Sequence, residues 1–258
     1  MNYLEDKDLE FLRNCPNEEL KALADLLVFD KDGKKRWNEK LSTKKVYAEN
    51  YPNNMKNAVD DIILELQCYG ADTIASAVRE LFGKHPGVPY KEILKDVCDK
   101  KNVRYHKEAS TKRMESLLIQ SIIEDVVRKL SDDDLLSVAE ELGISITGGE
   151  SRDHIIDAIL QKSMSPILYG KMTEIVYGAV VPGALFGVAG AAAAQVAAKQ
   201  IAVVAANIGL PRLVGMAIPA INALMWGWLI KDLSGPAYRI TVPAVIMIIN
   251  FRQKRALC

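Results

Sequence analysis

Apolar side chains recur at helical spacing from the N-terminus to about residue 163. After Pro16, which suits the first position of a helix, the apolar positions follow the spacing i, i+3, i+4 and i+7: Leu20, Leu23, Ala24 and Leu27. The same spacing predicts further helices at 6–13, 55–66, 72–82, 90–98, 111–130, 131–143 and about 151–162. The pattern therefore predicts an all-α fold whose N-terminal part is a multi-helix bundle.

Several residues mark where these helices begin and end. Gly70 is predicted to interrupt the chain between two helices, with Asp72 or Thr73 capping the second. Ser131 has the hydroxyl oxygen that an N-cap requires, and Gly143 suits the residue that follows a helix. Ser151 or Asp153 is predicted to start the helix at about 151–162.

The chain becomes much more apolar from Ile175 onward. Ile175–Ala198 contains 24 residues without a charge, and about 20 apolar residues already cross the hydrocarbon core of a bilayer. Shorter apolar runs follow at 201–208, 213–230 and 237–251, and the last is too short to span. Pro243 is predicted to lie in the first turn of a helix, with Thr241 as its cap. We interpret residues 171–258 as a Gly/Ala-rich helical module that inserts into membranes.

Small residues recur every fourth position within the longest apolar run, and they fall on one helix face: Ala179, Gly183, Gly187 and Ala191. Such a face lets a second helix approach closely, including one from another copy of the chain. Trp226 and Trp228 end a later apolar run and suit the membrane–water interface. A buried, alanine-rich core helix in a water-soluble protein is the alternative interpretation.

The zero net charge conceals an uneven distribution along the chain. Residues 1–174 carry a net charge of −6 and residues 175–258 a net charge of +6. Sparse basic residues beside apolar helices favour an anionic membrane surface over nucleic acid, which we do not expect as a partner. The four cysteines are widely spaced and the N-terminus lacks an apolar signal region, so we expect a cytoplasmic or inner-membrane-associated protein.

No catalytic or cofactor motif is present. A phosphate loop, a nucleophile elbow and His/Cys metal spacing are all absent from the sequence. Asp30 and Asp32 precede Gly33 as in a calcium loop, but Leu41 stands where the bidentate Glu would be needed. We therefore predict no enzyme activity, no cofactor and no metal. The basic and aromatic run Lys34–Trp37 would suit phosphate or lipid headgroups; a solvated connection is the interpretation favoured here.

Three stretches resemble the YaaW-like family of uncharacterised bacterial proteins. The start, DKDLEFLRNCPNEELKALADLLVFDKDGKKR, is similar to that family's N-terminal module, and SGPAYRITVPAV at 234–245 is similar to its C-terminal signature. The signature residues are Gly235, Pro236, Ala237, Tyr238, Arg239 and Pro243. Residues 58–105 resemble ubiquinol–cytochrome c chaperone domains. The resemblance implies no catalytic residues, and it implies three parts: a helical module at 1–40, a helical domain at 41–170 and the apolar module at 171–258.

Three hypotheses follow. The first is a non-enzymatic, membrane-associated helical protein, an assembly or chaperone-like factor whose acidic half binds a protein partner. The second is a pore-forming effector that sheathes its apolar helices in a soluble state. The third is a soluble helical bundle. Arg239, between apolar runs, would pair, reach toward a headgroup, or serve as an ordinary interface arginine.

Overall fold

A computed structural model describes residues 4–30, 32–73, 87–186 and 237–256 of the chain. The predicted all-α class is confirmed: these residues form α-helices and short 3₁₀ turns, with one isolated β-bridge. The helices are α1 (Asn17–Val28), α2 (Lys45–Asn50), α3 (Val59–Thr73), α4 (Tyr90–Lys100), α5 (Thr111–Val127), α6 (Asp132–Glu141), α7 (Arg152–Ser163), α8 (Pro166–Phe186) and α9 (Tyr238–Ala256).

The C-terminal helix α9 lies at the centre of the bundle. Every residue from Ile240 to Phe251 is buried, and the helix packs against α1, α3, α4 and, most extensively, α8. A helix that is apolar around its whole circumference needs neighbours on all sides, and the other helices supply them. This apolar run is thus part of the protein core. Among the residues that the structure describes, no helix has the length and apolar character needed to cross a membrane.

The start of α9 differs from the prediction. The helix begins at Tyr238, and the N–H groups of Ile240 and Thr241 both donate to the Ala237 carbonyl at 2.9 Å. Thr241 is therefore inside the helix and not its cap, and its hydroxyl donates to the same carbonyl. Pro243 lies beyond the first turn. The prediction was wrong because packing on all sides stabilises α9 at Pro243, although the proline removes one backbone hydrogen bond from the helix.

Gly70 does not interrupt the chain between two helices, as the sequence had predicted. Helix α3 continues through it to Thr73, the last described residue of this stretch, so Asp72 and Thr73 belong to α3. The rest of the helix predicted at 72–82 lies outside the described residues. A Cβ at Gly70 would lie 2.4 Å from Ile93 Cγ1. The glycine is thus explained by the close approach of α4 to α3, a tertiary contact that overrides its weak helix propensity.

Other local predictions are confirmed. The Ser131 and Ser151 hydroxyls accept hydrogen bonds from Asp134 N and His154 N, as N-caps do. Gly143 follows α6 with φ of +67°.

The predicted helix at 6–13 is instead a turn followed by a 3₁₀ segment at Glu10–Asn14.

Helix α8 follows α7 directly and packs against α5, α7 and α9. Ala179 and Gly183 of the small-residue face fall within α8. Gly187, Ala191, Trp226, Trp228, Gly235 and Pro236 lie outside the described residues. Helix pairing through that face, and the three-part division of the chain, stay predictions.

Candidate functional site

A cleft of about 670 Å³ opens where α9 begins. We call it the α9 cleft. It is lined by Asp30, Lys34, Lys35, Arg36, Trp37, Asn38, Asp72, Ala237, Tyr238 and Ile240. The cleft brings the basic and aromatic run of the N-terminal module against two residues of the C-terminal signature, which lie some two hundred positions apart in the chain.

One wall of the cleft is a tight turn formed by residues 29–30 and 32–36, which we call the basic hairpin. Asp30 N donates to Lys34 O and Arg36 N donates to Val28 O, each at 2.8 Å. Gly33, with φ of +73°, takes a backbone conformation that L side chains rarely adopt. These bonds fix the backbone that carries the three consecutive cations.

The carboxylate at the base of the hairpin is already occupied. Asp30 Oδ1 accepts hydrogen bonds from Asp32 N and Lys34 N, both at 2.9 Å. The bond from Lys34 N is the main cause of the lowered pKa of Asp30. This negative charge is held by backbone donors, so the carboxylate acts as a turn-forming group.

The cations of the hairpin are only partly engaged. Arg36 is half-buried, and its Nε donates to Leu26 O at 3.3 Å. Lys34 and Lys35 are exposed, and their ammonium groups form no ion pair with any carboxylate of the described residues. Trp37 beside them is 96% exposed. The Asp30 charge attracts Lys34 and Arg36, and the two exposed lysines lie next to an exposed tryptophan.

The opposite wall is the first turn of α9. The Tyr238 hydroxyl donates to Asp96 Oδ1 at 3.1 Å, and Lys100 Nζ lies 5.2 Å from the centre of its ring. Burial, followed by the nearby Asp96 charge, raises the pKa of Tyr238 to about 12. The ring is therefore neutral and fixed in place. Arg239, which the sequence singled out, is exposed beside it.

A second group of polar residues lies at the other end of α9, which we call the Glu115 cluster: Asp8, Tyr90, Thr111, Glu115 and Arg252. The Glu115 side chain is 1% exposed, accepts a hydrogen bond from the Tyr90 hydroxyl at 2.9 Å and lies 3.2 Å from Arg252 Nε. Arg252 Nη2 also donates to Asp8 O at 2.5 Å, and Thr111 Oγ1 donates to Asp8 Oδ2 at 2.6 Å.

The Glu115 cluster ties the last turns of α9 to the N-terminal segment. The Arg252 guanidinium stacks 4.4 Å from the ring centre of Phe11. Arg255 Nη2 lies 2.7 Å from Glu19 Oε2, and Lys254 Nζ lies 3.7 Å from Glu19 Oε1. The N-terminal module and the C-terminal helix thus share one core.

Burial dominates the titration of this cluster. It raises the pKa of Glu115, while Arg252 and the Tyr90 hydroxyl act in the opposite direction. Burial and the Glu115 charge together raise the pKa of Tyr90 well above its ordinary value. Because Arg252 links α9 to both Glu115 and the Asp8 carbonyl, the arrangement suits a structural role.

Sequence reasoning found parts of this site and missed others. It identified Ala237, Tyr238 and Arg239, and it considered Lys34–Trp37 but favoured a solvated connection. It did not identify Asp72, Asp96, Glu115 or Arg252. The signal for Arg252 was present: a basic residue directly after a long apolar run needs a partner when that run is buried. Within the described residues, no group of three or more His, Cys, Asp or Glu side chains is placed to hold a metal ion.

Comparison with known proteins identifies the family. The model of a domain of unknown function, DUF3944, matches residues 3–37, which end at Trp37. A UPF0174 protein of Helicobacter pylori strain J99 is 34% identical over 255 residues, covering 98% of this chain and 94% of the relative. The chain belongs to the UPF0174 family. The UPF0174 protein YaaW of Escherichia coli K12 is 27% identical, covering 98% of this chain and 96% of that protein.

The expected YaaW-like membership is therefore confirmed over nearly the whole chain. The similarity of residues 58–105 to ubiquinol–cytochrome c chaperone domains stays a prediction. No solved structure matches the chain.

Proposed function

We propose that this UPF0174 protein is a non-enzymatic, membrane-associated helical protein that serves as an assembly factor for a protein partner. The proposal is supported most by one observation: α8 and α9 pack on each other, yet residues 187–236 separate them in the chain. Residues 187–236 lie outside the part of the chain that the structure describes. A connection this long needs an explanation of its own.

Its composition supplies that explanation. The charged residues of 187–236 are Lys199, Arg212, Lys231 and Asp232, and the remainder is mostly Ala, Val, Ile, Leu and Gly. A polar connection of this length would suit a flexible linker, whereas an apolar one gains from leaving water. Since α9 already fills the described core, lipid is the environment that we assign to this connection.

The acidic half of the chain is the part that we assign to a protein partner. Helix α6 begins with Asp132, Asp133 and Asp134, and it exposes 42% of Leu136. An exposed apolar side chain in a helix that begins with three acidic residues suits a basic, partly apolar partner surface.

Tryptophan fluorescence tests insertion in the full-length chain. The chain has three tryptophans, so a Trp37→Phe variant reports only on Trp226 and Trp228. With vesicles containing brominated acyl chains, we expect the emission of this variant to shift to the blue and to be quenched. Two aspartates in the apolar run, Ala191→Asp and Ala194→Asp, should abolish quenching, because each charge costs roughly 2.5–3.5 kcal/mol at the bilayer centre.

Unquenched emission with vesicles of every composition would contradict membrane insertion. A dye trapped in the same vesicles separates the assembly factor from the alternative of a pore-forming effector. We expect the dye to be retained, and release at low protein concentration would favour the effector.

A further inference from the structure

We propose that the α9 cleft binds a phosphate group, carried either by a lipid headgroup or by a small soluble phosphate compound. The lipid form of this proposal rests on the membrane association proposed above, whereas the soluble form does not. The basic hairpin and the first turn of α9 line the same cleft, although they are far apart in the chain.

The hairpin provides a preorganised set of cations. Its backbone bonds fix the main chain that carries Lys34, Lys35 and Arg36, so the three cations extend from one ordered turn. The half-buried lysines Lys21 and Lys95, by contrast, lie 2.5 Å and 2.7 Å from Asp25 and Glu92. The two hairpin lysines lack such a partner among the described carboxylates, and an anionic ligand would supply one.

The first turn of α9 adds a favourable electrostatic field. Peptide dipoles of a 19-residue helix place a partial positive charge at its N-terminus, and Ala237 and Tyr238 line the cleft there. Anions bind at helix N-termini for this reason. The cations of the hairpin and the helix start thus face the same volume.

Two aromatic side chains suit the surroundings of a headgroup. Trp37 is 96% exposed at the rim and Tyr238 is fixed in the wall. Aromatic rings of this kind prefer the level of the headgroups, where one part of the ring is apolar and another meets water.

The carboxylate of Asp72 repels an anion in the cleft, so a variant without this charge gives a second test of the proposal. Asp30 also lines the cleft and keeps its negative charge, but its carboxylate holds the turn through backbone hydrogen bonds and is therefore left unchanged. Asp72 is exposed in the last described turn of α3 and lines the cleft. Removing its charge should strengthen phosphate binding, which a role of the lysines in folding would not predict.

The experiment reads Trp37 alone, in a full-length Trp226→Phe/Trp228→Phe background. Its emission is titrated in two arms: with inorganic phosphate, and with phosphatidylglycerol-containing vesicles against pure phosphatidylcholine vesicles. Each arm compares Lys34→Gln/Lys35→Gln with Lys107→Gln/Lys112→Gln, which removes two exposed lysines elsewhere. Calorimetric titration and vesicle flotation repeat the comparison without relying on Trp37.

We expect saturable binding that is roughly thirtyfold weaker in Lys34→Gln/Lys35→Gln, nearly unchanged in the control pair and tighter in Asp72→Asn. A response in both arms identifies the phosphate group itself as the ligand, and a response to anionic vesicles alone identifies the headgroup. Equal losses in the two lysine pairs, or no response in either arm, would overturn the proposal. Failure of insertion is seen separately, as unquenched Trp226 and Trp228.

Discussion

The two ends of α9 treat their charged residues in opposite ways. At the C-terminal end, Arg252 is 14% exposed and is shared among Glu115, the Asp8 carbonyl and the Phe11 ring. At the N-terminal end, Lys34 and Lys35 extend into solvent beside Trp37. At each end of α9, residues of the N-terminal module lie next to this helix.

The difference separates folding from binding. A buried ion pair is stable only when hydrogen bonds replace the lost water. Glu115 Oε1 accepts hydrogen bonds from Tyr90 and Arg252, whereas Glu115 Oε2 has no hydrogen-bond partner among the described residues. Exposed cations gain little from the fold and lose little when removed. We therefore assign the Glu115 cluster to stability and the α9 cleft to recognition, and four substitutions test this assignment.

The largest effect is expected from Arg252→Ala. It leaves the Glu115 carboxylate buried without its cation, which should lower the free energy of unfolding by about 3–5 kcal/mol. Urea unfolding followed by circular dichroism measures the loss. Lys254→Ala removes a cation that is 44% exposed on the same helix, and it should cost less than about 1 kcal/mol. Similar small losses in both variants would refute the structural role of the cluster.

The second effect concerns Asn250, which is fully buried in α9 and whose amide atoms have no hydrogen-bond partner among the described residues. Asn250→Leu keeps the branching of the side chain and removes the unsatisfied groups. It should raise the free energy of unfolding by about 1–3 kcal/mol. Asn250→Asp, a control of the same shape, should lower stability at neutral pH because it buries a carboxylate. Destabilisation by Leu would point to a polar partner for Asn250.

The third effect is a pH dependence that Glu115→Gln removes. Burial raises the folded pKa of Glu115 above its ordinary value of 4.5, so the folded state holds this proton more tightly than the unfolded chain. The group's stabilising contribution is present below pH 4.5 and is lost as pH rises through the folded pKa. The unfolding free energy of the unmodified chain minus that of the variant should therefore fall across this window.

Glu10→Gln, which removes an exposed carboxylate of the N-terminal segment, is measured beside Glu115→Gln over the same pH range. A difference that rises with pH would instead mean that the attraction of Arg252 outweighs the cost of burying Glu115.

The smallest change in unfolding free energy is expected from Trp37→Ala, in the cleft beside the N-terminal end of α9. A side chain that is 96% exposed contributes little to the core, so unfolding free energy should change by less than about 0.5 kcal/mol. Phe251→Ala, which truncates a fully buried ring of α9, should lower the free energy of unfolding by about 3–5 kcal/mol. A large loss in Trp37→Ala would mean that the basic hairpin supports the fold and is not free to bind.

Local signals were sufficient for most of the helices. Helical periodicity located α1, α4 and α5, and the capping residues Ser131 and Ser151 fixed two helix starts, because these features depend on neighbours three or four residues away. The same local rules failed at Gly70 and Pro243. There, contacts with distant helices outweighed the propensity of one residue.

The sequence by itself determined the all-α class, the family resemblance at both ends and the uneven charge along the chain. It did not determine where the apolar run 237–251 resides, because lipid and a protein core favour the same side chains. Only the packing of α1, α3, α4 and α8 around that run placed it in the core. Tertiary structure likewise paired Glu115 with Arg252, 137 positions apart, and set Lys34–Trp37 against Tyr238, since separation along the chain gives no information about proximity in space.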